Sequence, residues 1–134
     1  MCGIAGIIAA DPRQVTDQRL KLMTDSLAHR GPDGEQRWVS DNGQAGFGHR
    51  RLSILDLSLA AAQPMHYSDR YTIIHNGEIY NYIELRASLC KKGYQFRSGS
   101  DTEVILASFD CYGAGCLQNF EGMFAFAIWD RQTN

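Results

Sequence analysis

The spacing of apolar and polar residues changes period several times along the chain. Residues 4–10 are apolar nearly throughout, which predicts a strand covered on both faces. Asp11-Pro12 ends it. Leu20, Met23 and Leu27 then fall at i, i+3 and i+7. That spacing predicts an amphipathic helix from a Thr16 N-cap to about His29. Arg30-Gly31-Pro32-Asp33-Gly34 stops it sharply. Residues 36–40 and 44–50 flank Asp41-Asn42-Gly43, a strong hairpin signal. Gly46 and Gly48 in the second arm leave room for something to approach its backbone closely.

Beyond the hairpin, residues 57–66 show no clear period and predict irregular structure. Residues 71–75 predict a short strand running into Asn76-Gly77-Glu78. Asn81 and Glu84 have the spacing of a capping box. They open a helix with Tyr82, Leu85 and Leu89 on one face and Gly93 at its end. Residues 94–97 predict a brief strand. Ser100 and Glu103 form a second capping-box pattern, for a helix with the stripe Ile105, Phe109 and Tyr112, closed by Gly113. Residues 123–130 predict another strand buried on both sides. The last residues read as a turn towards a further strand. The expectation is a fragment, or a chain that a partner completes, because an apolar strand edge left unpaired invites aggregation.

Composition narrows the class. The chain has 134 residues, 44% hydrophobic and 21% charged, the proportions of one soluble globular domain. A net charge of −2 gives no footprint for nucleic acid or an acidic membrane surface. No apolar run approaches the ~18 residues a membrane span needs. The N-terminus lacks a basic, signal-like segment, so a cytoplasmic protein is expected. Its four cysteines, Cys2, Cys90, Cys111 and Cys116, should then stay reduced. Cys90, Cys111 and Cys116 with one histidine could form a zinc site, but paired ligand spacing is missing.

Met1-Cys2-Gly3-Ile4 carries the sharpest chemical possibility. Once Met1 is removed, the Cys2 thiol and a free α-amine share one residue. A nucleophile and a base are then held together by covalent structure. The bland alternative is a small buried residue opening a strand. Asn76-Gly77 offers a side-chain amide and a backbone N–H as adjacent neutral donors, suited to an oxyanion, or it is a plain turn. Arg51 could grip a carboxylate through paired hydrogen bonds, and Arg50 has an equal claim. Asp101 could accept from a substrate ammonium, or serve only as the first-turn acid of a capped helix.

The blocks Met1-Cys2-Gly3-Ile4-Ala5-Gly6, His29-Arg30-Gly31-Pro32-Asp33, Arg51-Leu52-Ser53-Ile54, Asn76-Gly77-Glu78-Ile79-Tyr80-Asn81, Ser98-Gly99-Ser100-Asp101-Thr102-Glu103 and Glu121-Gly122-Met123-Phe124-Ala125-Phe126 occur in that order. Together they closely resemble the N-terminal glutaminase domain of glutamine-dependent asparagine synthetases. These are class II glutamine amidotransferases, within the N-terminal-nucleophile (Ntn) hydrolases. The Arg-Gly-Pro-Asp block resembles that branch more than the amidophosphoribosyltransferase or glucosamine-phosphate synthase branches.

The resemblance implies an α+β fold over residues 2–134: an αββα four-layer sandwich of two antiparallel sheets between helices, incomplete at the C-terminus. It implies that Cys2 is the nucleophile and that Asn76 and Gly77 form the oxyanion hole. Arg51 would hold the glutamine α-carboxylate, with Leu52, Ser53, Ile54 and Leu55 shaping the pocket. Glu78 and Asp101 would face the α-ammonium. The implied reaction converts L-glutamine to L-glutamate and ammonia, with no metal or cofactor. The ammonia would pass to a synthetase domain or subunit that amidates aspartate with ATP and Mg²⁺. No Gly-rich pyrophosphate loop for that second step occurs here. No nucleic-acid or membrane partner is expected, and the resemblance leaves room for a homodimer of the full enzyme. Two other readings stay open: a non-catalytic glutamine-binding or interaction module, and a zinc-binding module.

Overall fold

The structure is a computed structural model that describes residues 2–52 and 58–133. Its elements in chain order are β1 (Gly3–Ile8), α1 (Asp17–Ser26), β2 (Gly34–Val39), β3 (Ala45–Arg51), β4 (Met65–Tyr67), β5 (Tyr71–Ile79), α2 (Tyr82–Lys91), α3 (Asp101–Tyr112) and β6 (Gly122–Asp130). Two antiparallel sheets result, with strand orders β1-β3-β2 and β4-β5-β6. Phe47 and Ala45 of β3 meet Ile74 of β5 and Trp129 of β6 between the sheets. Ile73 and Ile79 on the opposite face of β5 pack against Ile105 and Leu106 of α3. Leu89 of α2 packs with Val104 and Ala107 of α3 outside that. On the far side, α1 lies on the first sheet. The layers are therefore helix, sheet, sheet, helix, as the resemblance implies.

The α1 contact explains the small residues of β3. A Cβ on Gly46 would meet Leu20 at 2.9 Å, and one on Gly48 would lie 2.5 Å from Thr24 Cγ2. Leu20 and Thr24 are fully buried as a result. The helix begins as expected, with Thr16 Oγ1 accepting from the Arg19 N–H at 3.2 Å. Its buried residues are Leu20 and Thr24, however, with Leu27 half-buried just past its end and Met23 exposed. Threonine wins the inner position because it fits over glycine and its hydroxyl donates to Glu35 at 2.7 Å. Arg50 fastens the same interface, with Nε donating to the Thr24 carbonyl and Nη2 pairing with Asp25 and Glu35.

Several expectations change. Neither β1 nor β6 is covered on both faces: Ile8 is 70% exposed and Met123 74% exposed. Each strand is sandwiched only where the opposite sheet and a helix both reach it. Asn76-Gly77 is no turn; both residues lie inside β5, opposite Ala125 and Phe124 of β6. Asn81 makes no side-chain cap. Its amide instead donates to the Asn119 carbonyl and accepts from the Glu121 N–H, fastening the start of α2 to the start of β6. Residues 94–97 form no strand. The Arg97 and Ser98 N–H groups donate to the Glu103 carboxylate instead. The second capping pattern is thus half realised: Ser100 Oγ accepts from the Glu103 N–H, while Glu103 reaches back past Ser100. Of the α3 stripe, Ile105 is buried but Tyr112 is exposed. Gly113 closes the helix with φ 58°. Within the stretch expected to be irregular, residues 59–61 form a short 3₁₀ turn and residues 65–67 form β4.

A Gly48→Ala change should cost about 1–3 kcal/mol, because the new Cβ meets Thr24 Cγ2 in a packed interface. Adding Thr24→Ser removes that methyl and keeps the hydroxyl bond to Glu35. Urea unfolding should show the double variant more stable than Gly48→Ala alone; additive losses would show that the α1–β3 contact is not the cause.

Candidate active site

Cys2 directly precedes β1. Extending the β1–β3 register one step beyond Gly3↔Arg50 sets it across from Arg51. The Leu52 N–H donates to Cys2 Sγ at 3.3 Å, and the thiol reaches the Leu52 carbonyl at 3.6 Å. These contacts fix the sulfur against the backbone just after β3. Arg30 Nε donates to the Cys2 carbonyl at 3.0 Å, and the Asp33 N–H donates to the Arg51 carbonyl at 2.9 Å. Between them, Gly31 lies so close to β3 that a Cβ would sit 2.3 Å from the Arg50 carbonyl carbon. The Arg30–Asp33 loop thereby supports both Cys2 and Arg51. An open cleft of about 440 Å³ lies beside it, lined by His29, Arg30, Pro32 and Leu52.

The facing half of the site is β5. Ile74 points at the first sheet, so Asn76 and Glu78 share that direction by alternation. Gly77 has φ +135°, and a Cβ there would come within 2.1 Å of the Met123 carbonyl oxygen. Only glycine lets β6 lie this close. Asn76 Oδ1 is buried with no hydrogen-bond partner among the described residues. Asp101, the first residue of α3, is 5% exposed, and its Oδ2 accepts from the Ile79 N–H at 2.9 Å. Glu78 is exposed.

His49 links the two halves. It lies opposite Ile4 in the β1–β3 register, and the carbonyl of His75, next to Asn76 in β5, is within hydrogen-bonding reach of its ring. Burial pushes its pKa down to about 4; the bond to the His75 carbonyl opposes this, and the charges of His75 and Arg51 reinforce it. Burial also lowers the pKa of His75, against the pull of Asp101.

The structure therefore gathers Cys2, Arg51 and Leu52 at one end of the first sheet. It gathers Asn76, Gly77, Glu78 and Asp101 on β5 and the start of α3. Ser53, Ile54 and Leu55 lie outside the described residues. Arg50 turns away to α1, which leaves Arg51 on the Cys2 side. Sequence reasoning gave no role to Arg30, His49 or Gln63. Arg30 stood inside a recognised block. The other two carry no local signal, because their partners are 26 or more and 12 residues away, respectively, in other strands. The described residues contain no group of three or more His, Cys, Asp or Glu side chains placed to hold a metal. Their cysteines are all free.

Two stacked antiparallel sheets between helices, with a cysteine just before the first strand on the face turned to the second sheet, make the αββα sandwich that the resemblance implies. The chain belongs to the glutamine amidotransferase domain family, whose model matches residues 1–134. It is 46% identical over 138 residues to asparagine synthetase [glutamine-hydrolyzing] 1 of Bacillus subtilis, a match covering 100% of this chain and 21% of that protein. An amidase of Gibberella zeae is 40% identical over 144 residues, covering 97% of this chain and 21% of the amidase. The chain spans about a fifth of the length of these curated relatives. Among solved structures, B. subtilis glutamine phosphoribosylpyrophosphate amidotransferase, complexed with ADP and GMP, superimposes with a TM-score of 0.71. That match covers 96% of this chain and 34% of the other at 24% identity, a likeness of fold.

The neutral His49 ring makes stability depend on pH. An unfolded histidine titrates near 6.5, so below that value the unfolded chain binds a proton that the fold refuses. The contribution is complete above about pH 6.5 and is lost progressively as pH falls towards about 4. About 3 kcal/mol is at stake at most. Denaturation midpoints measured across this window should fall with acid, and more shallowly in His49→Gln; equal slopes would mean that His49 does not titrate on unfolding.

Proposed function

We propose that this chain is the glutaminase part of an asparagine-synthetase-type enzyme, hydrolysing L-glutamine to L-glutamate and ammonia. One observation carries the reading. The Cys2 thiol is held on the backbone of Leu52, which lines a cleft, and Cys2 shares the face of β1 on which Ile4 packs against the second sheet.

In this reading Arg51 takes the glutamine α-carboxylate in a paired hydrogen bond. Glu78 and the second oxygen of Asp101 face the α-ammonium. With Met1 removed, the α-amine of Cys2 is the base. Such an amine, with a pKa of about 7.7–8.0, has roughly a tenth of its population unprotonated at pH 7, against under about a thousandth for a lysine. It takes the thiol proton, directly or through water, and later delivers one to the leaving ammonia. The sulfur attacks the side-chain amide carbon. The Asn76 side-chain N–H and the Gly77 backbone N–H stabilise the oxyanion, and a thioester forms on loss of ammonia. Water then releases glutamate. This half needs no metal or organic cofactor.

The ammonia passes to a synthetase domain or subunit that amidates aspartate using ATP and Mg²⁺, in a cytoplasmic enzyme. The relatives named asparagine synthetases support aspartate as acceptor. Among the described residues, no helix is long and apolar enough to cross a membrane.

Glutamine supplied to the purified chain should yield ammonia and glutamate in equal amounts. Cys2→Ala should abolish the reaction. Asn76→Ala should lower kcat by about 10²–10³. Arg51→Met should mainly raise KM, since the carboxylate is held equally in ground and transition states. N-terminal mass spectrometry should find Met1 absent. A folded chain without Met1 that releases no ammonia sinks the reading.

A further inference from the structure

The outer edge of β5 is finished in an unusual way. Tyr80 N–H donates to the Glu121 carbonyl at 2.7 Å, which sets the parity of the β5–β6 ladder. Even-numbered N–H groups of β5 face β6, and those of residues 73, 75, 77 and 79 face the other edge. Strand β4 covers that edge only as far as Ile73, opposite Met65. The next ladder position would set residue 63 opposite residue 75. At this position a side chain takes over. Gln63 Oε1 accepts from the His75 N–H at 2.5 Å. Two steps further on, Asp101 Oδ2 accepts from the Ile79 N–H at 2.9 Å. The Gly77 N–H lies on the same edge, between these two occupied positions.

Gln63 is also held from behind. Its Nε2 donates to Thr102 Oγ1 at 3.3 Å, and the same hydroxyl contacts His75 Nδ1 at 3.2 Å. Gln63, His75, Asp101 and Thr102 are all buried. The start of α3 therefore anchors the edge of β5 at two points, Asp101 directly and Thr102 through Gln63. A glutamine suits this position because one end of its amide accepts while the other donates. A glutamate keeps the acceptor for the His75 N–H and can also accept from the Thr102 hydroxyl, whereas methionine would do neither well.

We propose that Gln63 is a positioning residue for the oxyanion donors. By clamping the His75 N–H to Thr102, it fixes the strand segment that carries the Asn76 amide and the Gly77 N–H. This rests on the glutaminase reading above. An oxyanion donor acts on the tetrahedral species, so a loosened segment lowers kcat while leaving glutamine binding by Arg51 largely intact.

The test compares Gln63→Met, which removes both bonds, with Gln63→Glu, which keeps the acceptor for the His75 N–H. Glutaminase kinetics are normalised to the folded fraction, and amide hydrogen exchange is followed at His75. The expected result for Gln63→Met is a loss of His75 protection and a fall in kcat of about 10–100-fold, with KM within about threefold. Gln63→Glu should keep the protection and recover most of kcat. The proposal is overturned if Gln63→Met retains kcat per folded chain, if its loss lies in KM, or if Gln63→Glu fares no better than Gln63→Met. An inactive wild type sinks the glutaminase reading and the catalytic consequence with it. In that case, His75 protection that survives Gln63→Met overturns the clamp as well, and protection lost in that variant supports the clamp without reference to activity.

Discussion

Strand β5 is packed on both faces, and the rest of the arrangement follows from that constraint. Ile74 is pressed into the inter-sheet layer with Phe47 and Trp129, while Ile73 and Ile79 are pressed onto α3. A strand buried on both faces cannot slip by one residue without exchanging its two sets of side chains. Its register is therefore fixed, and with it the direction of Asn76. The first sheet is held to the same layer by Phe47 and Ile4. The β1–β3 register then carries Cys2 to the same face. Cys2 and Asn76 thus stand on facing sheets because two apolar layers agree, with no covalent link between them.

Glycine makes this agreement possible at two close approaches. Gly31 lets the Arg30–Asp33 loop press on β3 just behind Arg51, and Gly77 lets the backbone of β6 press on β5. Both were visible in the sequence as glycines within recognisable blocks. What each glycine touches was not visible, because the touching segments are distant in sequence. Asn76-Gly77 shows the limit well. Locally the pair reads as a turn, since both residues favour one. The nine-residue pairing of β5 with β6 overrides that preference. The long apolar runs of β1 and β6 misled in another way. A run of Ile, Ala and Gly has no alternation, so it cannot tell one covered face from two. Helix starts at Thr16 and Ser100 were legible because a cap is a local bond, and Asn81 was misread because its partners lie across the chain at Asn119 and Glu121. For the same reason the recurring blocks pointed to the candidate site, while the long-range supports Arg30, His49 and Gln63 did not stand out.

The start of α3 is the most polar part of the interior. Ser98, Ser100, Asp101, Thr102 and Glu103 are all buried. A packed apolar segment would hold such a helix at lower desolvation cost. These groups are instead bonded to defined partners. The Glu103 carboxylate accepts from the N–H groups of Arg97 and Ser98 and from the Ser98 hydroxyl, and Arg86 donates to the carbonyls of Ser98 and Ser100. Both acids also sit at the positive end of the helix, where negative charge is favoured. Directional bonds of this kind constrain position more tightly than apolar contact, which tolerates sliding. They fix where the first turn of α3 stands, and so where Asp101 meets Ile79 and Thr102 meets Gln63. The polar cost is concentrated where the edge of β5 must be held to within the reach of a hydrogen bond.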